Sequence, residues 1–141
     1  MIHDRLVTDS LVLSPRAVTN GATATANFDT LGASYATIRL AFAAELNTNG
    51  VGPTLSLLQS DDTVVTNFAT VVANRTLEDL TAAKGIVYGI DLRGKKRYMR
   101  LSITPGAATN DSVTVSAFGT LSRQYEEPAG TTDAGDVVVY V

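Results

Sequence analysis

The chain has 141 residues, of which 45% are hydrophobic and 18% charged, with a formal net charge of −3 and no cysteine. This length suits one domain around one hydrophobic core. The acidic balance argues against the dense Lys/Arg footprint that binds DNA or RNA, and the absence of cysteine excludes disulfides and thiolate metal sites. We therefore predict a soluble protein with no nucleic-acid partner and no membrane span, because no run approaches the ~20 apolar residues that a spanning helix needs.

Residues 1–10 mix acidic and basic side chains without an apolar stretch, so they do not resemble a secretory signal and are predicted to be an N-terminal arm. His3 is the sole histidine and lies in this arm, which leaves Ser–His catalysis without an imidazole in the domain. The segment from Val12 to Phe28 fits one or two short strands. Pro15 must then occupy an edge, a bulge or a strand end.

Apolar side chains alternate with polar ones from Ala36 to Ala44, which predicts a half-buried strand. Leu55 and Leu57 predict the next strand, and residues 59–62 predict a hairpin turn into another extended stretch over 64–72. The spacing in that last stretch leaves a short helical turn open as an alternative.

Residues 76–84 fit either a short helix, with an N-cap at Thr76 and a stop at Gly85, or a connecting loop. Strand character resumes over 86–92, followed by a charged turn and a strand over 97–104 whose core face carries Met99, Leu101 and Ile103. After Pro105-Gly106, alternation over 112–121 predicts the second strand of a hairpin with 97–104.

Short strands between turn signals predict an all-β fold: an antiparallel β-sandwich of jelly-roll or Greek-key type with at most one short helix, over residues 11–124. A closed barrel is the alternative.

No group of residues in the sequence matches the pattern of a known catalytic or metal-binding site. Acidic residues near predicted strand ends lack the paired arrangement of a glycosidase, and no calcium-loop or zinc-ligand spacing is present; these acids are Asp61, Asp62, Asp91 and Asp111. Four tyrosines would serve core or interface packing or a sugar platform: Tyr35, Tyr88, Tyr98 and Tyr125. We predict no enzymatic activity, no cofactor and no metal.

A basic cluster follows the predicted strand over 86–92. Its members are Arg93, Lys95, Lys96, Arg97 and Arg100. It is either a solvated turn or a surface for an acidic partner, and in the second case Arg97 is the candidate partner-binding residue.

The C-terminal residues 125–141 combine a flexible spacer with an abruptly apolar arm, Val137, Val138, Val139, Tyr140 and Val141. Five consecutive β-prone residues would be an aggregation hazard if left uncovered. They either return to the parent sheet as its last strand or add to a neighbouring subunit. We predict that these residues bind a partner. Leu6, in the N-terminal arm, is predicted to bind a partner as well.

Strand-and-turn patterns lie over residues 29–32, 35–38, 54–62, 68–71, 97–103 and 113–117. Together these segments resemble the small β-sandwich proteins encoded beside the major capsid gene of tailed bacteriophages. The resemblance implies a capsid decoration, or cement, protein on the outside of the virion. Its implied partners are the major capsid protein and itself, as a homotrimer. The sequence departs from this group at Thr63-Val64, where a glycine is expected, and in the tail after Arg123.

Two functions follow from these patterns. The first is a structural virion protein that binds the capsid exterior and stabilises contacts between capsomers. The alternative is a carbohydrate- or receptor-binding β-sandwich domain of a virion head or fibre.

Overall fold

A computed structural model describes residues 8–44, 51–78, 80–106, 111–123 and 137–140. These ranges contain one short 3₁₀ turn, Val65–Asn67, and nine strands: β1 Thr8–Thr19, β2 Ala24–Asp29, β3 Tyr35–Phe42, β4 Val51–Ser60, β5 Thr70–Glu78, β6 Lys84–Asp91, β7 Tyr98–Thr104, β8 Ser112–Ser122 and β9 Val137–Tyr140. No helix in them has the length and apolar character needed to cross a bilayer.

The strands form two sheets. One has the order β1-β8-β3-β6-β9, and the other has the order β2-β7-β4-β5. The first eight strands pair antiparallel, and successive strands mostly change sheet, which is the jelly-roll arrangement. β9 adds parallel to β6, with Val138 opposite Val87. The predicted all-β sandwich is therefore confirmed.

The core lies between the two sheets and is built from alternate residues of each strand. Ile38 and Leu40 of β3, with Leu55 of β4, are at most 3% exposed. Met99, Leu101 and Ile103, which were predicted to form the core face of their strand, are buried, and so are Val113, Val115 and Ala117 of β8. A large apolar side chain buried in this way stabilises the fold by about 1.5–3 kcal/mol.

Pro15 lies where its missing N–H costs least. β1 is an edge strand, and its register against β8 shifts between Leu13 and Arg16. This placement confirms the expectation of an edge or bulge position. Gly94, at φ +77°, turns the chain between β6 and β7, a conformation that side chains with a Cβ rarely adopt.

Two local predictions require correction, and one open alternative is decided. β7 and β8 do not form a hairpin, because they belong to different sheets. Thr76 begins no helix, since β5 continues to Glu78. In the stretch over 64–72, the alternative of a short helical turn holds at Val65–Asn67, and the extended prediction holds from Thr70, where β5 begins. In each case the side-chain pattern was compatible with two structures, and pairing with a strand distant in sequence decided between them.

Two strands lie in segments that were predicted to be terminal arms. β1 starts at Thr8, within the segment predicted as an arm, and β9 lies within the segment predicted as a C-terminal arm. β9 occupies the free edge of β6 in the same chain.

Candidate interaction surface at the loop end

Three connections lie at the same end of the sandwich, because successive connections of a jelly roll alternate between its two ends. They join β2 to β3 (30–34), β4 to β5 (61–69) and β6 to β7 (92–97). We call these residues the loop-end surface. It contains most of the predicted basic cluster.

Arg97 is fixed by a carboxylate. Its Nε and Nη2 donate to the two carboxylate oxygens of Asp29 at 2.9 and 2.6 Å, and its guanidinium lies 4.8 Å from the ring centre of Tyr98. These hydrogen bonds from Arg97 lower the pKa of the Asp29 carboxyl. Asp29 also accepts a bond from the backbone N–H of Leu31 at 3.0 Å. One aspartate thus orients both Arg97 and the turn beside it.

Arg93 and Lys96 are also paired within the chain. Arg93 donates to the carboxylate of Asp91 at 2.6 Å and to the hydroxyl of Tyr35 at 2.9 Å. The hydrogen bonds from Arg93 lower the pKa of Asp91 to about 2. The ammonium of Lys96 lies 2.7 Å from the carboxylate of Asp61. The loop end is therefore largely charge-compensated, which favours the interpretation of the cluster as an ordered turn over a nucleic-acid site.

The β4–β5 connection folds over the outer face of the four-stranded sheet. Asp62 accepts from Asn67 Nδ2 at 2.8 Å and from the backbone N–H of Val64 at 2.9 Å, which closes the loop. These bonds, led by the one from Asn67, lower the pKa of Asp62. Phe68 then covers the guanidinium of Arg100, whose carbon lies 4.1 Å from the ring centre. This is the hairpin region in which Thr63-Val64 replaces the expected glycine.

Apolar side chains project from this ordered frame. Leu31 is 71% exposed, and Val64 and Val65 are more than half exposed. Arg100 Nη1 donates to the backbone oxygen of Val65 at 3.1 Å. This hydrogen bond holds the turn that carries Val64 and Val65 against Arg100, a member of the basic cluster. Pre-oriented arginine beside exposed aliphatic side chains is a composition typical of protein-binding surfaces.

The structure separates the predicted partner-binding residues. Arg97 lies at the loop end, next to the four-stranded sheet. Val137, Val138, Val139 and Tyr140 form β9 at the edge of the five-stranded sheet. Leu6 and Val141 lie outside the described residues.

Sequence reasoning missed the exposed aliphatic residues of the loop end. Leu31 and Val64 lie in turns, where an apolar residue has no strand partner to bury it. An apolar residue inside a predicted turn is the sequence signal that would have identified them.

The candidate carboxylates do not converge. Asp91 and Asp61 each bind a basic side chain at the loop end, and Asp62 closes the loop there. Asp111 is buried beside the β7–β8 connection at the opposite end of the sandwich. In the described ranges, no three His, Cys, Asp or Glu side chains form a group able to hold a metal ion.

Among the tyrosines, Tyr88 lies in the core, whereas Tyr35 and Tyr98 lie beneath arginines. Tyr125 lies outside the described residues. Tyr35, Tyr88 and Tyr98 thus form no shared sugar platform.

Comparison with known proteins supports the fold and no closer relationship. No family model and no curated protein matches the sequence. The structure is similar to the VP2 subviral particle of infectious bursal disease virus, with a TM-score of 0.50 and 13% identity over 85% of this chain and 33% of that one. For the Gx strain of that virus the TM-score is 0.51 and the identity 14%, over 84% and 32%.

A bacteriophage protein shares the same fold. The enzymatically active domain of tailspike protein 4 of bacteriophage CBA120 has a TM-score of 0.52 and 10% identity, over 86% of this chain and 20% of that one. The chain spans a third or less of the length of each of these proteins. At such identities the likeness is one of fold.

Proposed function

We propose that the protein is a virion component that binds the outer surface of a phage capsid and stabilises contacts between capsomers, without enzymatic activity. The observation that carries this proposal is the loop-end surface, where Leu31, Val64 and Val65 are exposed at the same end of the sandwich as the fixed guanidinium of Arg97. Because Asp29 already holds Arg97 in place, little conformational freedom is lost when a partner covers this surface.

Two further observations support the proposal. The sequence segments that resemble decoration proteins lie largely in strands of the sandwich. Solved proteins of similar fold include the VP2 subviral particle and a phage tailspike domain. Decoration also needs only modest affinity at each site, because many copies act together on one shell.

The proposed partners are the major capsid protein and further copies of this chain, as a homotrimer. β9 supports self-association, because a strand that lies on the edge of β6 in one chain fits the same edge of a neighbour. Native mass spectrometry of the full chain tests this part, with a trimer expected and a monomer at all concentrations contradicting it.

Co-sedimentation with undecorated capsids tests the main proposal. The double variant Leu31→Ser, Val65→Ser removes exposed apolar surface without touching the core, so we expect folding to be retained and capsid affinity to fall at least tenfold. Val51→Ser is the matched control, since Val51 is 45% exposed but lies at the opposite end of the sandwich. Equal binding by all three proteins, or no binding by the unaltered chain, would contradict the proposal.

A carbohydrate- or receptor-binding role is the second candidate. The outer face of the four-stranded sheet carries neutral hydroxyl and amide groups that pair across strands, with Thr54 Oγ1 3.0 Å from Thr76 Oγ1 and Ser56 Oγ 3.0 Å from Asn74 Oδ1. Such a face offers both donors and acceptors to a sugar. A glycan array distinguishes the candidates, because saturable binding to one defined sugar favours this second function.

A further inference from the structure

Asn20 and Gly21 form the tip of the turn between β1 and β2. The backbone N–H of Ala22 donates to the carbonyl of Thr19 at 3.0 Å, which closes a four-residue turn. Gly21 has a φ of +79°, and no described residue other than glycine has a positive φ. A positive φ at the third residue alone defines a type II turn. The N–H of the central peptide, which joins Asn20 to Gly21, takes no part in the hydrogen bond of such a turn.

The surroundings of this turn leave its side-chain amide and its central N–H accessible. Asn20 and Gly21 are both exposed, and a Cβ placed on Gly21 would meet no atom within 4 Å. Within the described part of the chain, neither the side-chain amide of Asn20 nor the N–H of Gly21 makes a hydrogen bond. The backbone N–H of Asn20 does, since it donates to the carbonyl of Asp111 at 2.8 Å and holds the turn in place.

The other asparagines that the structure describes differ from Asn20 in two respects. The side-chain amides of Asn27, Asn67 and Asn74 each make a hydrogen bond, at 2.8, 2.8 and 3.0 Å. Each of these asparagines also precedes a phenylalanine or an arginine, whose side chain hinders approach to its backbone nitrogen. Asn20 combines an amide that makes no described hydrogen bond with an unhindered nitrogen in the next residue.

We infer that Asn20 is a site of spontaneous covalent modification, at which this asparagine converts to isoaspartate. The backbone nitrogen of Gly21 attacks Cγ of Asn20, so that a bond between these two atoms forms while the Cγ–Nδ2 bond breaks. Nδ2 leaves as ammonia and takes the hydrogen of the Gly21 N–H with it. The product is a five-membered succinimide ring, and nothing is oxidised or reduced. Glycine favours this step because the missing Cβ permits close approach to its backbone.

Water then opens the ring at one of its two carbonyl carbons. Addition at the main-chain carbonyl of residue 20 breaks the bond to the Gly21 nitrogen and continues the chain through Cβ and Cγ, as isoaspartate. Addition at Cγ gives aspartate. Either product carries a new carboxylate, which lowers the formal net charge by one from −3. Isoaspartate also adds one carbon to the backbone, so the hydrogen bond between Thr19 and Ala22 loses its geometry.

This site is independent of the proposed function. The β1–β2 turn lies at the opposite end of the sandwich from the loop-end surface, and its hydrogen bond to Asp111 joins it to the region before β8. The modification therefore changes the charge and the backbone at one end of the molecule and leaves the loop end as it is.

Peptide mapping of the full chain by mass spectrometry tests the inference, after incubation at neutral and at mildly alkaline pH. We expect isoaspartate as the main product at residue 20, formed at least tenfold faster than any product at Asn27, Asn67 or Asn74. The rate should rise with pH, because the deprotonated nitrogen of Gly21 is the attacking group. Fragment ions separate residue 20 from Asn49-Gly50, which lies outside the described residues. An equal rate at all four asparagines, or aspartate without isoaspartate, would overturn the inference.

The same chain unfolded in urea shows whether the fold leaves this site open. Unfolding should speed conversion at the three hydrogen-bonded asparagines at least fivefold and change the rate at Asn20 by less than that. A rate at Asn20 that rises as much as the others would contradict the assignment.

Two matched variants complete the test. Asn20→Gln keeps an amide but requires a six-membered ring, so it should fold normally and give no product at residue 20. Asn74→Gln is the control and should leave the rate at Asn20 unchanged. Product at residue 20 in the first variant, or a slower reaction at Asn20 in the second, would count against the inference.

Discussion

On the outer face of each sheet an arginine lies beside a phenylalanine, but one phenylalanine ring is buried and the other is exposed. On the four-stranded sheet, Phe68 lies over the guanidinium of Arg100 and is 6% exposed. Arg100 also donates to Asn27 Oδ1 at 2.8 Å. On the five-stranded sheet, Phe118 is exposed beside Arg39, which has no acceptor among the described residues.

The two pairs differ in whether another segment of the same chain covers them. The β4–β5 loop covers the first pair, and the neighbouring hydroxyls bond to one another across strands. No described segment of the chain covers the second pair. A face that is satisfied within the chain stabilises the fold, whereas a face with an exposed aromatic ring and an unpaired cation is typical of a binding surface.

The largest expected effect comes from exchanging each phenylalanine for alanine. Phe68→Ala should lower the free energy of unfolding by about 2–4 kcal/mol, because it removes a buried ring and releases the loop. Phe118→Ala should change it by no more than about 0.5 kcal/mol, because its ring is already exposed. Urea denaturation followed by circular dichroism measures both. Similar losses for the two variants would remove the distinction between the faces.

The edge of the five-stranded sheet provides the next test. A chain that ends at Ala134 lacks β9, so it should remain folded but lose about 1–2 kcal/mol of stability from the missing strand hydrogen bonds. The exposed edge of β6 should also change self-association, which native mass spectrometry detects. Global unfolding of the shortened chain would mean that β9 belongs to the core instead.

A smaller effect is expected inside the five-stranded sheet. The buried hydroxyl of Tyr88 has no hydrogen-bond partner within the described part of the chain, and burial raises the pKa of this phenol. Tyr88→Phe removes an unsatisfied polar atom and should raise the free energy of unfolding by up to about 1 kcal/mol. Tyr98→Phe, at a half-buried position, is the control. Clear destabilisation by Tyr88→Phe would show that the hydroxyl has a partner.

The smallest effect is a difference in acid response between the two surfaces. Hydrogen bonds from Arg93 hold the pKa of Asp91 at about 2, below its ordinary value of 3.8. The stabilisation from this pair is therefore present above about pH 4 and lost as the pH falls through about 2. Carbon-detected NMR of the Asp91 carboxyl should give that midpoint.

The same titration tests the contrast between the faces. The Arg93 side-chain signals should follow the protonation of Asp91, while the Arg39 signals should stay unchanged, since no carboxylate lies against Arg39 among the described residues. An Asp91 midpoint near 4 would mean that the pair does not persist in solution.

Much of the secondary structure was predictable because it depends on local alternation. The strands around Ile38, Leu55 and Leu101 each place one apolar face against the core, and residues two apart along a strand share a face whichever strand lies alongside. Pro15 was assigned correctly for a related reason, since its missing N–H is tolerated only where a strand has a free side or a bulge.

The candidate surfaces were less predictable. Arg97 was identified from its basic neighbours, but its fixation by Asp29 joins residues far apart in the chain, and spacing along the chain does not reveal such a pair. Phe118 was not singled out from the sequence, although alternation along β8 places it on the face opposite the buried Val115 and Ala117. That its ring remains exposed depends on where the other segments of the chain lie.

Composition and alternation alone established a β-sandwich chain with little ionisable surface, because each strand's polar and apolar pattern is a property of its own residues. Tertiary structure decided which strands pair, so the expected hairpin of β7 and β8 gave way to strands in separate sheets. It also decided which arginines find a carboxylate. Both outcomes depend on contacts between distant segments, whose energies are set only when the two sheets pack together.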